Sequence, residues 1–257
     1  IVEGKQNNEG DIKELAIDFL LYGITAEIFF KETGFNMGLG GSMHAFFTPF
    51  GIYPNNAIVG GSAPIGAGCA LYKKVNQKDG IVVANIGDGS LGCGPVWESI
   101  NFSAMGQLKE LWDEAHRGGL PIIFNFMNNQ YGMGGQTSGE TMAFDKLARL
   151  GAGVNPEQMH AERIDGYNPL SVIEGFTRKK QLIKENKGPV LLDTLTYRIG
   201  GHSTSDANAY RTEEELELWR EEDSIKNFRK QLIDADIAED SDFEDIDNDV
   251  VERMTKV

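Results

Sequence analysis

The chain has 257 residues, 40% of them hydrophobic, and a formal net charge of -15, a size and apolar content that suit one large α/β core. Nine of its acidic residues and no basic ones fall in 234–249, leaving -6 for the remainder, and no Lys/Arg cluster offers a phosphate-tracking surface, which argues against nucleic acid as a partner. No apolar run reaches membrane-spanning length and no signal peptide is visible, so the expected setting is cytoplasmic with no membrane partner. Cys69 and Cys93 are isolated thiols without metal or redox spacing, which reads as small hydrophobes in a reducing compartment.

In chain order, residues 1–10 lack periodicity, and ELAIDFLL and TAEIFFKE carry apolar residues at helical spacing, predicting two short helices. A Gly-, Asn- and Pro-rich stretch over 34–61 is too long for a plain connector and is read as a functional loop. It leads into a small-residue helix expected to begin near Pro64. The apolar run at 81–86 closes on GDG, LGCGPVWESINFSAM reads as a helix, and a second apolar run at 121–127 closes on NN, together a βαβ unit. A helix over about 169–186 precedes a third strand at 189–197. These elements predict a mostly parallel, doubly wound α/β sheet with helices on both faces and a ligand at the carboxyl ends of its strands. After Tyr210 one amphipathic helix is expected, with Thr212 and Glu215 as a capping box. The acidic stretch then reads as a solvated linker or tail, giving a domain at 1–233 and a tail at 234–257. Because the chain opens on Ile1 rather than Met, the domain is expected to be N-terminally incomplete.

The chemistry concentrates at Gly87-Asp88-Gly89 and Asn128-Asn129-Gln130-Tyr131. A carboxylate, an amide oxygen and a main-chain carbonyl are hard donors of the kind Mg²⁺ takes when it also binds phosphate. Glycines beside Asp88 let the backbone approach a diphosphate, and the following helix N-terminus favours negative charge. Each motif alone is an ordinary turn after a strand. Their order, strand, GDG, helix, strand, NN, is far more specific.

That order resembles the thiamin-diphosphate motif. GGSMHAFF, NNAIVGGSAPIGAG, GDGSLGCGPVWESINFSAM, NNQYGMG and YRIGGHSTSDANAYR then occur in the order of alpha subunits of the decarboxylating component of 2-oxo acid or acetoin dehydrogenase complexes, over about residues 25–229. The resemblance implies a thiamin-diphosphate-binding fold, with Asp88 and Asn129 ligating Mg²⁺ by side chain and Tyr131 by its carbonyl. It further implies that Gly87, Gly89 and Ser90 hold diphosphate oxygens and that the main chain around Ala57 and Val59 contacts the aminopyrimidine. His202 would contact cofactor phosphate and stabilise the reacting carbonyl, a role suited to a group that exchanges protons near neutral pH. His44 belongs to a matching block and is read equally well as loop packing, whereas His116 and His160 are read as surface residues. Ser203 and Ser205 lie in a loop that some relatives phosphorylate, with loop ordering the simpler role. Glu98 is read as a packing residue on its helix.

By the same resemblance the substrate is a 2-oxo acid or acetoin, with pyruvate, branched-chain and acetoin enzymes each echoed in one block. The acyl acceptor would be the lipoyl group of an acyltransferase component. The partner is a beta subunit or fused beta domain, which supplies the activating glutamate in an alpha2beta2 assembly or fused dimer. A transketolase-type enzyme and a noncatalytic assembly domain are the alternatives. Three features depart from the pattern. Residues 107–119 form an insertion that sets Asp88 and Asn129 41 apart, the upstream Tyr-Arg segment has no counterpart, and Ala57 stands where glycine is common.

Overall fold

The computed structural model describes residues 12–257. Nine α-helices among the described residues, α1 (Ile12–Ile28), α2 (Ser62–Val75), α3 (Gly94–Ser103), α4 (Gln107–Glu110), α5 (Arg149–Val154), α6 (Pro169–Lys184), α7 (Glu213–Glu221), α8 (Ser224–Asp234) and α9 (Asp240–Lys256), accompany four strands. The strands are β1 (Val82–Gly87), β2 (Ile122–Asn128), β3 (His160–Asp165) and β4 (Val190–Leu195), all parallel, in the order β1-β2-β4-β3. The described residues form two compact units, one of residues 58–230 and one of residues 12–57 with 231–257.

In the larger unit, alternation along the strands sorts side chains onto two helix-covered faces. Ile122, Phe124, Phe126 and Leu191 pack with Ala63 and Ala70 of α2, Val96 and Ile100 of α3 and Leu150 of α5. Ile123, Val190 and Leu192 face the other way, onto Val172, Phe176 and Ile183 of α6. The sheet is therefore doubly wound, as expected. Each fully buried Phe, Leu or Ile contributes about 1.5–3 kcal/mol, more than the ~1 kcal/mol of a typical hydrogen bond, so this two-faced core holds the strand ends in place. The small residues anticipated in α2 let it lie close to the sheet: a Cβ on Gly66 would meet the Ala84 Cβ at 2.9 Å. Helix α6 starts where Pro169 follows Asn168, whose side chain accepts from the N–H groups of Leu170 and Ser171 at 3.0 and 3.3 Å.

Several expectations change. The two short N-terminal helices are one continuous α1. Strand β3 (HAERID) went unread because it is an edge strand carrying charge: Glu162 pairs with Arg178 and with Lys179 at 3.2 Å, and Arg163 with Asp193 at 2.7 Å. His160, read as a surface residue, is a half-buried member of that strand whose buried Nε2 has no hydrogen-bond partner among the described residues, and burial lowers its pKa. His116 lies in a turn of the insertion that Asp113 caps: the Asp113 carboxylate accepts the His116 N–H at 3.1 Å and lies 2.5 Å from its Nδ1. The insertion holds the short α4 and that turn. The single amphipathic helix is split into α7 and α8 because Asp223 accepts from the N–H groups of Ile225 and Lys226 at 3.0 and 3.1 Å, acting as a fresh N-cap.

In the smaller unit, the fully buried Glu27 of α1 gathers the glycine-rich loop. Its carboxylate accepts from the N–H groups of Asn36, Gly38, Gly40 and Gly41 at 2.7, 3.0, 2.6 and 3.3 Å. Burial pushes its pKa up, but these donors outweigh it and leave the carboxyl below its ordinary value. Phe35 stacks on Phe47 at 4.2 Å, and Phe19 meets Phe47 and Phe50 edge-on. The acidic stretch expected as a tail is helical from Asp240 to Lys256, acidic in its first turn and basic in its last, which complements the helix dipole. Its Arg253 reaches Glu14 and Asp18 of α1 at 2.8 and 2.7 Å.

Candidate cofactor and metal site

β1 and β2 pair with Gly87 opposite Met127, so Asp88 and the Asn128-Asn129 pair leave the sheet side by side. β2 and β4 pair with Asn128 opposite Leu195, and the Thr196 N–H donates to the Asn128 carbonyl at 2.8 Å. All three polar strand ends thus meet at one sheet edge. Asp88 is 1% exposed; its Oδ2 accepts the Thr137 hydroxyl at 2.7 Å, and the N–H groups of Gly89 and Gln130 also donate to the carboxylate. Burial nonetheless raises its pKa, because the desolvation of the charge exceeds what these neutral donors return.

Asn129 is half-buried, and its Oδ1 accepts the Tyr131 N–H at 3.0 Å across Gln130, whose φ of 69° makes the turn. Tyr131 is 4% exposed and donates its hydroxyl to Glu215 Oε1 at 2.6 Å. Tyr197, just past β4, donates to the same oxygen at 2.6 Å. Burial and Glu215 both push the two phenol pKa values upward, so each keeps its proton at neutral pH. Thr212 caps α7 through the Glu215 N–H at 3.2 Å, but the Glu215 side chain goes to the tyrosines, so only half of the expected capping box forms.

Gly87 ends β1, and Gly89 and Ser90 follow in a 3-10 turn ahead of α3. A Cβ on Gly89 would sit 3.6 Å from the Gly132 Cα, so the GDG and NN loops touch backbone to backbone. Val59 is 58% exposed, in the turn where a Cβ on Gly60 would meet Cys93 and Val96 at 3.0 Å. Ala57 is exposed and closes the smaller unit, and His44 of that unit is exposed as well. Glu98 is exposed on α3.

His202 is exposed on the loop after β4, its N–H donating to Asp206 Oδ2 at 2.8 Å and its Nδ1 3.3 Å from Arg198 Nη1. Arginine has only donors, so Nδ1 accepts and the ring proton sits on Nε2. Arg198 also donates to the Gly132 carbonyl at 2.9 Å, which ties the His202 loop to the loop of Tyr131. Asp206 accepts from the N–H of Asn208 at 2.9 Å and the hydroxyl of Tyr210 at 2.8 Å, and these donors hold its pKa down to about 2. Arg211 binds the carbonyls of Arg198 and Gly200 beneath the same loop, its guanidinium 5.1–5.4 Å from the ring centres of Tyr131, Tyr197 and Tyr210. Ser203 and Ser205 bond to one another at 3.1 Å in that exposed loop.

Sequence reading missed Thr137, Arg198, Asp206, Arg211 and Glu215. Thr137 and Glu215 reach the site across 49 and 84 residues, separations that no local spacing reveals. Asp206 and Arg211 stood in the matched SDANAYR block and carried that signal unread.

Among the described residues no three His, Cys, Asp or Glu side chains cluster as a metal site. A metal here would depend on mixed oxygen donors, and the chemistry fits. Asp88 is a buried carboxylate held only by neutral donors, the state a divalent cation relieves, and Asn129 and Tyr131 bring an amide and a carbonyl to the neighbouring strand end.

A parallel sheet whose adjacent strands end in GDG and NN, with a third polar loop beside them, defines a doubly wound α/β protein, a class whose ligands gather at the strand carboxyl ends. The family model of the Dehydrogenase E1 component matches residues 16–256, and the chain belongs to that family. It is 33% identical over 229 residues to the pyruvate dehydrogenase E1 component subunit alpha of Rickettsia bellii (strain RML369-C), covering 89% of this chain and 65% of that protein. It is 34% identical to the corresponding subunit of Zymomonas mobilis, over 91% of this chain and 63% of that protein. The mitochondrial one of Dictyostelium discoideum is also 34% identical, over 91% and 57%. The chain thus spans less than two thirds of the length of these curated relatives.

Proposed function

We propose that the chain is the alpha part of a thiamin-diphosphate- and Mg²⁺-dependent component that decarboxylates a 2-oxo acid and passes the acyl group to a lipoyl group. The observation that carries this reading is the buried Asp88 carboxylate, bonded to Thr137 and to the Gln130 N–H of the neighbouring strand end. Pyruvate is favoured among the substrates because the three relatives compared above are pyruvate dehydrogenase subunits. When bound, thiamin diphosphate supplies the electron sink that decarboxylation needs.

In this reading the Asp88 and Asn129 side chains and the Tyr131 carbonyl hold Mg²⁺, and the backbone of Gly87, Gly89 and Ser90 receives diphosphate oxygens. The main chain at Ala57 and Val59 orients the aminopyrimidine. His202 offers its Nε2 proton to a diphosphate oxygen or to the reacting carbonyl. A beta subunit or fused beta domain supplies the activating carboxylate, since Glu98, the acid nearest after GDG, is solvent-exposed on α3. Among the described residues no helix is long and apolar enough to cross a membrane. A reducing cytoplasmic setting accords with the two free cysteines, Cys69 and Cys93.

Calorimetry of thiamin diphosphate binding to the assembled enzyme, with and without Mg²⁺, tests the site. Asp88→Ala is expected to abolish the Mg²⁺-dependent part, because the diphosphate charge loses its bridging cation. Unchanged affinity in that variant would remove the metal site from this position.

A further inference from the structure

Resting on the cofactor reading above, we propose that Glu215 is a positioning residue for the metal: by accepting the Tyr131 hydroxyl it fixes the backbone whose carbonyl completes the donor set. The need for such an anchor is local. Tyr131 is followed by Gly-Met-Gly-Gly, a run with little conformational preference of its own. The peptide plane joining Tyr131 to Gly132 is oriented by the Gly132 N–H, which donates to the Gly135 carbonyl at 2.8 Å and so turns the Tyr131 carbonyl the opposite way. That bond lies within the glycine run and moves with it. Outside the run, the Tyr131 N–H is held by Asn129 Oδ1 at 3.0 Å and the Gln130 carbonyl by the Thr137 N–H at 3.0 Å, both on the N-terminal side of the Tyr131 carbonyl; the phenol hydroxyl on Glu215 at 2.6 Å holds the Tyr131 side chain, and Arg198 holds the Gly132 carbonyl beyond it at 2.9 Å.

Glu215 is built for this task rather than for its own helix. Thr212 already caps α7, and the exposed Glu213 and Glu214 in the same turn answer the helix dipole. Glu215 turns inward, and one oxygen takes two charge-assisted hydrogen bonds, from Tyr131 and Tyr197, each 2.6 Å. Tyr197 lies flat on Trp219 of α7, ring centres 4.6 Å apart, and Tyr131 meets Tyr197 edge-on at 5.7 Å. The carboxylate thereby fastens the ends of β2 and β4 to one rigid helix.

The test measures Mn²⁺ binding by paramagnetic resonance at fixed thiamin diphosphate in the assembled enzyme, with thermal unfolding of the cofactor-free protein alongside. Glu215→Ala is expected to weaken metal binding by about tenfold to a hundredfold, the scale seen when a group that orients a ligand is removed. Glu215→Gln, which keeps an acceptor oxygen, is expected to recover most of it. Tyr131→Phe deletes only one hydroxyl and serves where Glu215→Ala fails to fold; it too should weaken the metal, and more than Tyr197→Phe does. Wild-type metal affinity in a folded Glu215→Ala or in Tyr131→Phe overturns the inference. A wild-type assembly that takes up no thiamin diphosphate overturns the cofactor reading and this one with it, a result distinct from normal binding in the variants.

Discussion

At the scale of single residues, the site is organised by carboxylates that face donors: Asp88 toward Thr137, Glu215 toward two phenols, Asp206 toward two N–H groups and Tyr210. Asp206 allows a test with a definite sign. Its pKa falls from the ordinary 3.8 to about 2, chiefly through the Asn208 N–H and then the His202 N–H. A depressed folded-state value means that the stabilisation is fully present above the unfolded value and is lost as pH drops from 3.8 toward about 2. The His202 loop should therefore stay ordered down to that window and loosen within it. Carbon-detected NMR titration of the Asp206 carboxyl reads this directly, and a midpoint at the ordinary aspartate value would show that the loop hydrogen bonds do not form in solution.

At the scale of elements, close approach between helices and strands sets the sheet that carries the site. α5 lies so near β3 that a Cβ on Gly151 would come within 2.4 Å of the Ala161 Cβ and 2.7 Å of the Met159 carbonyl oxygen. Neither neighbour is a flexible side-chain end. Gly151→Ala should then cost about 1–3 kcal/mol in overpacking, which exceeds the ~1 kcal/mol that alanine gains in helix preference. Denaturant unfolding measures the balance, and a variant as stable as the wild type or more so would mean that α5 shifts freely. The ladder β1-β2-β4 was legible because its strands are apolar runs closed by polar turns. β3 was not, since HAERID carries charged residues whose ion-pair partners, on α6 and at Asp193 of β4, are remote in sequence.

At the scale of the whole molecule, the proposed function makes this polypeptide one part of an active site. Alone, with thiamin diphosphate and Mg²⁺, it is expected to show negligible 2-oxo acid decarboxylation, and addition of the beta part should restore it. Activity assays run in parallel with assembly mass settle the matter; full activity from this chain by itself would require an activating carboxylate within these residues. The acidic stretch belongs to this scale too. Its charge suggested a solvated tail, yet α9 orders its charges along the helix dipole and binds α1 through Arg253.

The sequence by itself determined the doubly wound class, the strand ends at GDG and NN, and the family, because strands and their closing turns are written in contiguous residues. The oxygen-bearing groups of Asp88, Asn129 and Tyr131 stand at those strand ends in the sequence as well. Only the tertiary structure decided which partners hold those donors: Thr137 on Asp88, Glu215 on Tyr131 and Tyr197, and Arg198 between the His202 loop and Gly132. The physical reason is range. A strand or a turn is selected by its own residues' dihedral and burial preferences. A hydrogen bond between loops forms only after the parallel register has brought their strand ends together, and nothing in the local pattern names the partner.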